Sequence, residues 1–224
     1  MEKIKAFTMA EVLITLGIIG IVACMTMPGV IKNYQKKVTV ERLKQTYSML
    51  QQAVMLSEVK NGDIEDWITP SYTGAGDTTA TETFVKMYYE PYLQTIHSEK
   101  MPTSDSPYDY YYYTNDGQKV ESDGHTHYSI ALINGVYLHF NANYGANKYI
   151  QLRVDINGRQ KPNTIGIDIF YMYAYPEVKL VDEGAVRPIL LERCKTPRSV
   201  DQQASCGALI MYDGWEIRDD YPWR

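Results

Sequence analysis

Hydrophobic and polar positions change rhythm twice along the chain. From Val12 to Ile31 the segment VLITLGIIGIVACMTMPGVI carries no charged residue. A helix of that length measures about 30 Å, the thickness of the hydrocarbon layer of a bilayer. The apolar positions then thin to Ile31, Tyr34, Val38, Leu43, Tyr47, Leu50 and Val54. Steps of three to five mark a helical stripe, and the stripe predicts core packing for Leu43, Tyr47, Leu50 and Val54. The intervening Lys, Gln, Glu, Leu and Met favour helix, and Asn61-Gly62 supplies a left-handed stop. The spacing predicts one helix from about Thr8 to Lys60, with Pro28-Gly29 as a kink or melted turn inside it.

Beyond Gly62 the period shortens. Residues 81–96 (TETFVKMYYEPYLQTI) read as helical up to Pro91, with Phe84, Met87 and Tyr88 on one face. Tyr128, Ile130 and Leu132 alternate, Asn134-Gly135 turns, and Val136, Leu138 and Phe140 alternate back, which predicts a hairpin. Ile150-Leu152-Val154 reads as a third strand and Ile167-Ile169-Tyr171-Tyr173 as a fourth. GALIMYDGWEI (207–217) predicts a further strand with Asp213-Gly214 as its turn. Tyr110–Tyr113 is either an edge strand or an adhesive loop, packed in the ordinary way or offered as a contact surface between subunits. The expected fold class is α+β. A long N-terminal helix, half transmembrane and half amphipathic, packs on a mostly antiparallel sheet, and no internal repeat is evident.

Composition narrows the picture. A mean hydropathy of −0.34 excludes a polytopic membrane protein, and 45% hydrophobic with 22% charged residues excludes wholesale disorder. Of the 20 tyrosines, 18 follow residue 70, so the body presents amphipathic rings. Charge is segregated: residues 32–60 are net +4 and residues 61–224 net −9. An acidic body offers no broad attraction to phosphate backbones, so nucleic acid is not an expected partner.

Glu11 stands at the mouth of the apolar run, where a carboxylate is costly and needs a partner. The first candidate is a free α-amino group, created by cutting the chain near Phe7. The stretch Lys5-Ala6-Phe7-Thr8-Met9-Ala10-Glu11-Val12-Leu13-Ile14-Thr15-Leu16 resembles the cleavage motif of type IV prepilins and type II secretion pseudopilins. The resemblance implies a leader over residues 1–6, cleavage after Ala6 by a prepilin peptidase, and methylation of Phe7. Glu11 is then the fifth mature residue, the family's assembly glutamate, and Pro28 falls where the family often has a helix-kinking proline. Gly20 also matches a common family glycine. Ala6 departs from the usual Gly, the next smaller side chain. The implied organisation is a leader (1–6), a transmembrane or filament-core helix (7–31), its amphipathic continuation (32–61) and a globular α+β head (62–224). The implied partners are other pilin or pseudopilin subunits and an inner-membrane assembly platform with a separate cytoplasmic ATPase. The implied location is the bacterial inner membrane, single-pass with the body outside the cytoplasm, and then a filament.

Two features bear on that topology. Lys3 and Lys5 precede the span, whereas Lys32, Lys36, Lys37, Arg42 and Lys44 follow it. The positive-inside rule alone would keep the body in the cytoplasm. The cysteines point the other way. Cys24 lies in the span, but Cys194 and Cys206 flank an 11-residue polar spacer suited to a disulfide loop, a bridge that persists in oxidising compartments. The alternative is two free thiols. Many pilins resemble this arrangement in closing a C-terminal loop with a disulfide.

Candidate chemistry is sparse. His125 and His127 can share one strand face with His139 across the hairpin, and His97 lies apart, but no third and fourth ligand completes a zinc site. Asp155, Asn157, Asn163 and Asp168 offer hard oxygens between Gly158 and Gly166, a calcium candidate that some pseudopilins resemble; the plain alternative is an Asn157-Gly158 turn between strands. No nucleophile elbow, zinc-protease, Walker or dinucleotide motif occurs, so no enzyme activity is expected and no other cofactor is implied. The rival to a structural subunit is a membrane-tethered minor or tip binding protein that uses the same export route. A tethered enzyme is the remoter one.

Overall fold

The computed structural model describes residues 8–68, 78–101, 112–115, 117–120, 127–143, 149–158, 160–195 and 204–223. Two compact units divide between Val38 and Thr39. The helix α1 (Met9–Asn61) belongs to both and is unbroken at Pro28, so the melted turn does not form. Pro28 removes one helical N–H. Close by, the Thr26 hydroxyl donates to the Val22 carbonyl at 2.9 Å, a back-bond of the kind that accompanies helix bending. The predicted stop is present. Gly62 has φ +81° and donates its N–H to the Glu58 carbonyl at 3.0 Å, the single-bond left-handed cap.

In the second unit α1 buries Val40, Leu43, Thr46, Leu50, Ala53, Val54 and Ser57 along one face. Leu43, Leu50 and Val54 match the predicted stripe, while Tyr47 lies at its border. The Tyr47 ring is 5.8 Å from that of Trp215, and its hydroxyl meets the Glu183 carboxylate. The buried polar members of the stripe are satisfied: Thr39 donates to the Ile167 carbonyl at 3.1 Å and Thr46 to the Arg42 carbonyl at 2.8 Å.

The main sheet holds β1 (Thr95–Met101), β4 (His127–Leu132), β5 (Tyr137–Asn143), β6 (Tyr149–Asp155), β7 (Ile169–Tyr175) and β8 (Lys179–Leu180), antiparallel and in that order. A two-stranded sheet pairs β2 (Tyr112–Tyr113) with β3 (Lys119–Val120). The predicted hairpin is β4–β5, with Ile130 opposite Leu138, Tyr128 opposite Phe140, and Gly135 at φ +85° in the turn. Even-numbered residues of these strands, among them Ile130, Leu138, Leu152, Phe170 and Met172, join the α1 stripe in one core. On β7 the predicted set Ile169-Tyr171-Tyr173 faces a second, smaller cluster with Tyr112 and Ile165, so this strand is covered on both sides. Ile167 is not part of the strand.

Two local expectations are corrected, and two elements appear that the sequence did not predict. The helix α2 (Thr79–Tyr88) ends before Glu90–Tyr92, a single 3₁₀ turn, and buries Phe84, Val85 and Tyr88, leaving Met87 exposed. Pro91 cannot donate into a continuing helix. Residues 95–101, whose sequence TIHSEKM is too polar to read as a strand, form the edge strand β1. The predicted strand over 207–217 is instead the helix α4 (Cys206–Tyr212), preceded by α3 (Arg187–Lys195), which no apolar rhythm announced. Cys206 through Ile210 are all buried, so their short apolar run has no period to distinguish helix from strand. Asp213-Gly214 caps the helix rather than turning a hairpin. Trp215 N–H donates to the Ile210 carbonyl at 2.9 Å and Gly214 N–H to Met211 at 3.0 Å, the paired bonds of a Schellman motif.

Burial raises the phenol pKa of Tyr89 and Tyr221, and burial together with Glu183 pushes that of Tyr47 up to about 12. Below the unfolded tyrosine value of about 10 these groups are neutral in both states and their stabilisation is complete. It is lost as pH rises from there through the folded values. An alkaline titration of the full chain in detergent is expected to show exposed tyrosines ionising first, with a late phenolate step coincident with loss of near-ultraviolet circular dichroism. Complete ionisation before any unfolding would contradict the burial of these rings.

Candidate functional site

The predicted processing motif occupies the start of α1. Ala6 and Phe7 lie outside the described residues. Thr8 immediately precedes the helix, and its carbonyl accepts the first helical bond, from Val12 N–H at 3.2 Å. One oxygen of the Glu11 carboxylate accepts both the Thr8 N–H and the Thr8 hydroxyl, each at 2.8 Å. The Thr8 hydroxyl oxygen in turn faces Glu11 N–H at 3.3 Å. This is a capping box, with Thr8 as N-cap and Glu11 three residues on. The pattern Thr-x-x-Glu ahead of an apolar run carries that signal in the sequence, and it is a role for Thr8 that the cleavage motif does not supply. Glu11 therefore has a partner in its own chain, where its charge also complements the helix N-terminus.

The helix beyond it is apolar on all sides. None of its most hydropathic window is buried, and Leu13, Ile18, Ile19, Ile21 and Met25 are exposed. This segment is a candidate membrane span, by length and composition. Its hydroxyls are spent locally: Thr15 donates to the Val12 carbonyl and Thr26 to Val22, each at 2.9 Å. A helix with its polar groups satisfied internally is what a hydrocarbon environment accepts. Cys24 is an exposed free thiol on this helix.

Cys194 and Cys206 form the expected disulfide, with Cα atoms 4.8 Å apart and both residues buried. The bridge ties α3 to α4 beside the loop between β6 and β7. A side chain at Gly166 would meet Cys206 Sγ at 2.8 Å and the Tyr221 hydroxyl at 3.1 Å, and Gly166 has φ +81°, so only glycine fits there. Tyr221 donates to the Gly166 carbonyl at 2.5 Å. Arg187 fastens the same region. Its guanidinium makes paired bonds to buried Asp213 at 2.6 and 2.9 Å and to Asp220 at 2.9 and 2.8 Å. These partners are distant in sequence, and no local pattern announced them.

Asp155, Asn157, Asn163 and Asp168 do converge in one loop. The Asp168 carboxylate accepts Asn163 N–H at 2.8 Å, Thr164 N–H at 2.5 Å and the Asn157 amide NH₂ at 3.1 Å, while Asp155 Oδ1 accepts Asn157 N–H at 3.1 Å. Burial raises the Asp168 pKa against those bonds. The aspartate lone pairs a calcium ion would use are thus directed at N–H donors, whereas Asn157 Oδ1 is buried with no hydrogen-bond partner among the described residues. Among the described residues no three His, Cys, Asp or Glu are grouped as for a metal. His125 lies outside the described residues. His139 is buried with Nδ1 2.7 Å from the Ser129 hydroxyl, and His97 is an exposed residue 3.5 Å from Glu99. Of the tyrosine-rich segment, Tyr112 packs over the Arg153 guanidinium at 4.6 Å, and Tyr110 and Tyr111 are outside the described residues.

Comparison with known proteins gives one match. A family model described as a family of unknown function, DUF6613, matches residues 29–224, leaving the apolar run up to Pro28 outside it. No curated protein and no solved structure matches the chain.

Two outcomes follow for the body. Replacing Cys194 and Cys206 together by serine is expected to lower the unfolding free energy by about 3 kcal/mol, the loop-closure value, as read by denaturant titration. The melting temperature of the full chain is expected to be the same in calcium and in chelator. A rise with calcium would mean that the oxygens of the 155–168 loop turn away from their N–H donors to bind it.

Proposed function

We propose that this chain, which belongs to the family of unknown function DUF6613, is a prepilin-like structural subunit of a type IV pilus or type II secretion pseudopilus. A prepilin peptidase removes residues 1–6 and the new N-terminal Phe7 is methylated. The apolar helix holds the subunit in the bacterial inner membrane with the body outside the cytoplasm, until it joins other subunits through an assembly platform driven by a separate ATPase. The observation that carries this reading is Glu11, a lone carboxylate at the mouth of an uncovered apolar helix, bonded to nothing stronger than its own Thr8.

The mechanism follows from relative strengths. Cleavage creates an ammonium at Phe7, and an ionised donor binds a carboxylate roughly twice as strongly as a neutral one. Inside a helix bundle, where the dielectric is low, the difference grows. Glu11 of one subunit would then exchange its bonds with Thr8 for the Phe7 ammonium of a neighbour. Apolar area supplies the attraction and the ion pair supplies the axial register. The disulfide supports the exported body, since such bridges persist in oxidising compartments.

Mass spectrometry of the native protein is expected to find an N-terminus at Phe7 carrying one extra methyl group. Glu11→Ala is expected to leave membrane insertion and body folding intact and to reduce filament yield at least tenfold. A native chain beginning at Met1, or filaments undiminished by Glu11→Ala, would end this reading.

A further inference from the structure

The outward face of α1 in the second unit is not uniformly polar. Ala53, Val54 and Ser57 are buried, while Met55, Leu56 and Val59 project the other way and are 57%, 56% and 88% exposed. Their spacing of one and three residues places them on one helix face. Asp63, Glu65 and Asp66 follow directly around the Ile64–Asp66 turn. All three are exposed, and they make no ion pair among the described residues. Apolar surface with an acidic border is the layout of a docking patch.

The complement exists on the same chain. At the end of the uncharged run, Ile31, Tyr34 and Lys37 share an exposed face of α1, with Ile31 51% and Tyr34 68% exposed, and residues 32–37 carry Lys32, Lys36 and Lys37 with no acidic residue. Resting on the filament reading above, we propose that the Met55–Val59 face and its acidic border dock on the Ile31–Lys37 neck of a second copy of this chain. Apolar meets apolar, and the acidic border of Asp63, Glu65 and Asp66 meets Lys37, the exposed lysine on the same face as Tyr34. The two patches differ, so the contact is heterologous and repeats without closing, as a filament requires. The charged border sets partner choice and register more than affinity. Lipid headgroups would engage the lysines alone and leave the Met55–Val59 face bare, whereas a second copy covers both. The basic neck then has a purpose on the side of the membrane where the insertion bias opposes it.

The test uses the full chain in its host, with Cys24→Ser as background. Co-expressed Tyr34→Cys and Val59→Cys chains are expected to give oxidative cross-linked dimers that neither gives alone. Lys37→Glu should cut the dimer yield at least fivefold, and adding Asp63→Lys with Glu65→Lys should restore it. If filaments form but the 34–59 cross-link is absent, or if its yield ignores the charge reversals, this contact is overturned while the subunit reading stands. If the unaltered chain keeps its leader and never assembles, both fall together.

Discussion

A helix coated with Leu, Ile, Val and Met, and covered by nothing among the described residues, is costly to leave in water. That constraint governs the first unit. From Val12 to Ile31 the segment suits an apolar environment, and its threonines already donate inward to its own backbone. The one carboxylate near that environment is placed where the helix leaves its N–H groups unpaired, which is the least costly position for it. On the filament reading proposed above, such a subunit is tolerated by lipid when alone and has a charge free to change partners when a neighbour arrives.

The second unit obeys a different rule, the parity of a sheet. Residues of even number along β4 to β7 close on the α1 stripe, and the aromatic group of Trp67, Phe84, Tyr88 and Tyr89 seals one flank. Trp67 stacks on Tyr88 with centroids 4.4 Å apart and donates through its indole N–H to the Gly62 carbonyl at 2.8 Å, so the end of α1 is tied to α2. Two of the tyrosines, Tyr89 and Tyr221, are absorbed in this way: rings in the core, hydroxyls on the backbone carbonyls of Ala174 and Gly166.

Long-period and alternating signals were legible in the residues. The long apolar helix, the α1 stripe, the Asn61-Gly62 stop and the β4–β5 hairpin each rest on composition, periodicity or a turn glycine, and each is present. What stayed hidden lacked such a signal. Strand β1 owes its place to pairing with β4 rather than to its polar sequence. The apolar run at Cys206–Ile210 has no polar face to reveal its period, and Gly214 reads the same in a hairpin and in a helix cap. Ile167-Ile169-Tyr171-Tyr173 gave the right strand but the minor cluster, because β7 is buried on both faces. Of the candidate-site residues, Glu11 stands out in the sequence by its position at the mouth of the apolar run. Thr8 was not singled out, although its capping pattern was in view, and the Arg187 clasp could not be found before three distant segments were folded together.

Tyr221 and Trp223 are core residues, and Tyr221 holds the loop beside the disulfide. The body therefore lacks part of its interior until the ribosome has made residue 223. On the topology proposed above, in which the amino end stays behind and the body crosses after the apolar helix, the body would arrive on the far side still open, its two thiols accessible to an oxidant, and would close once Tyr221 and Trp223 had joined it. Such late completion suits a protein whose route to its destination requires it to travel unfolded.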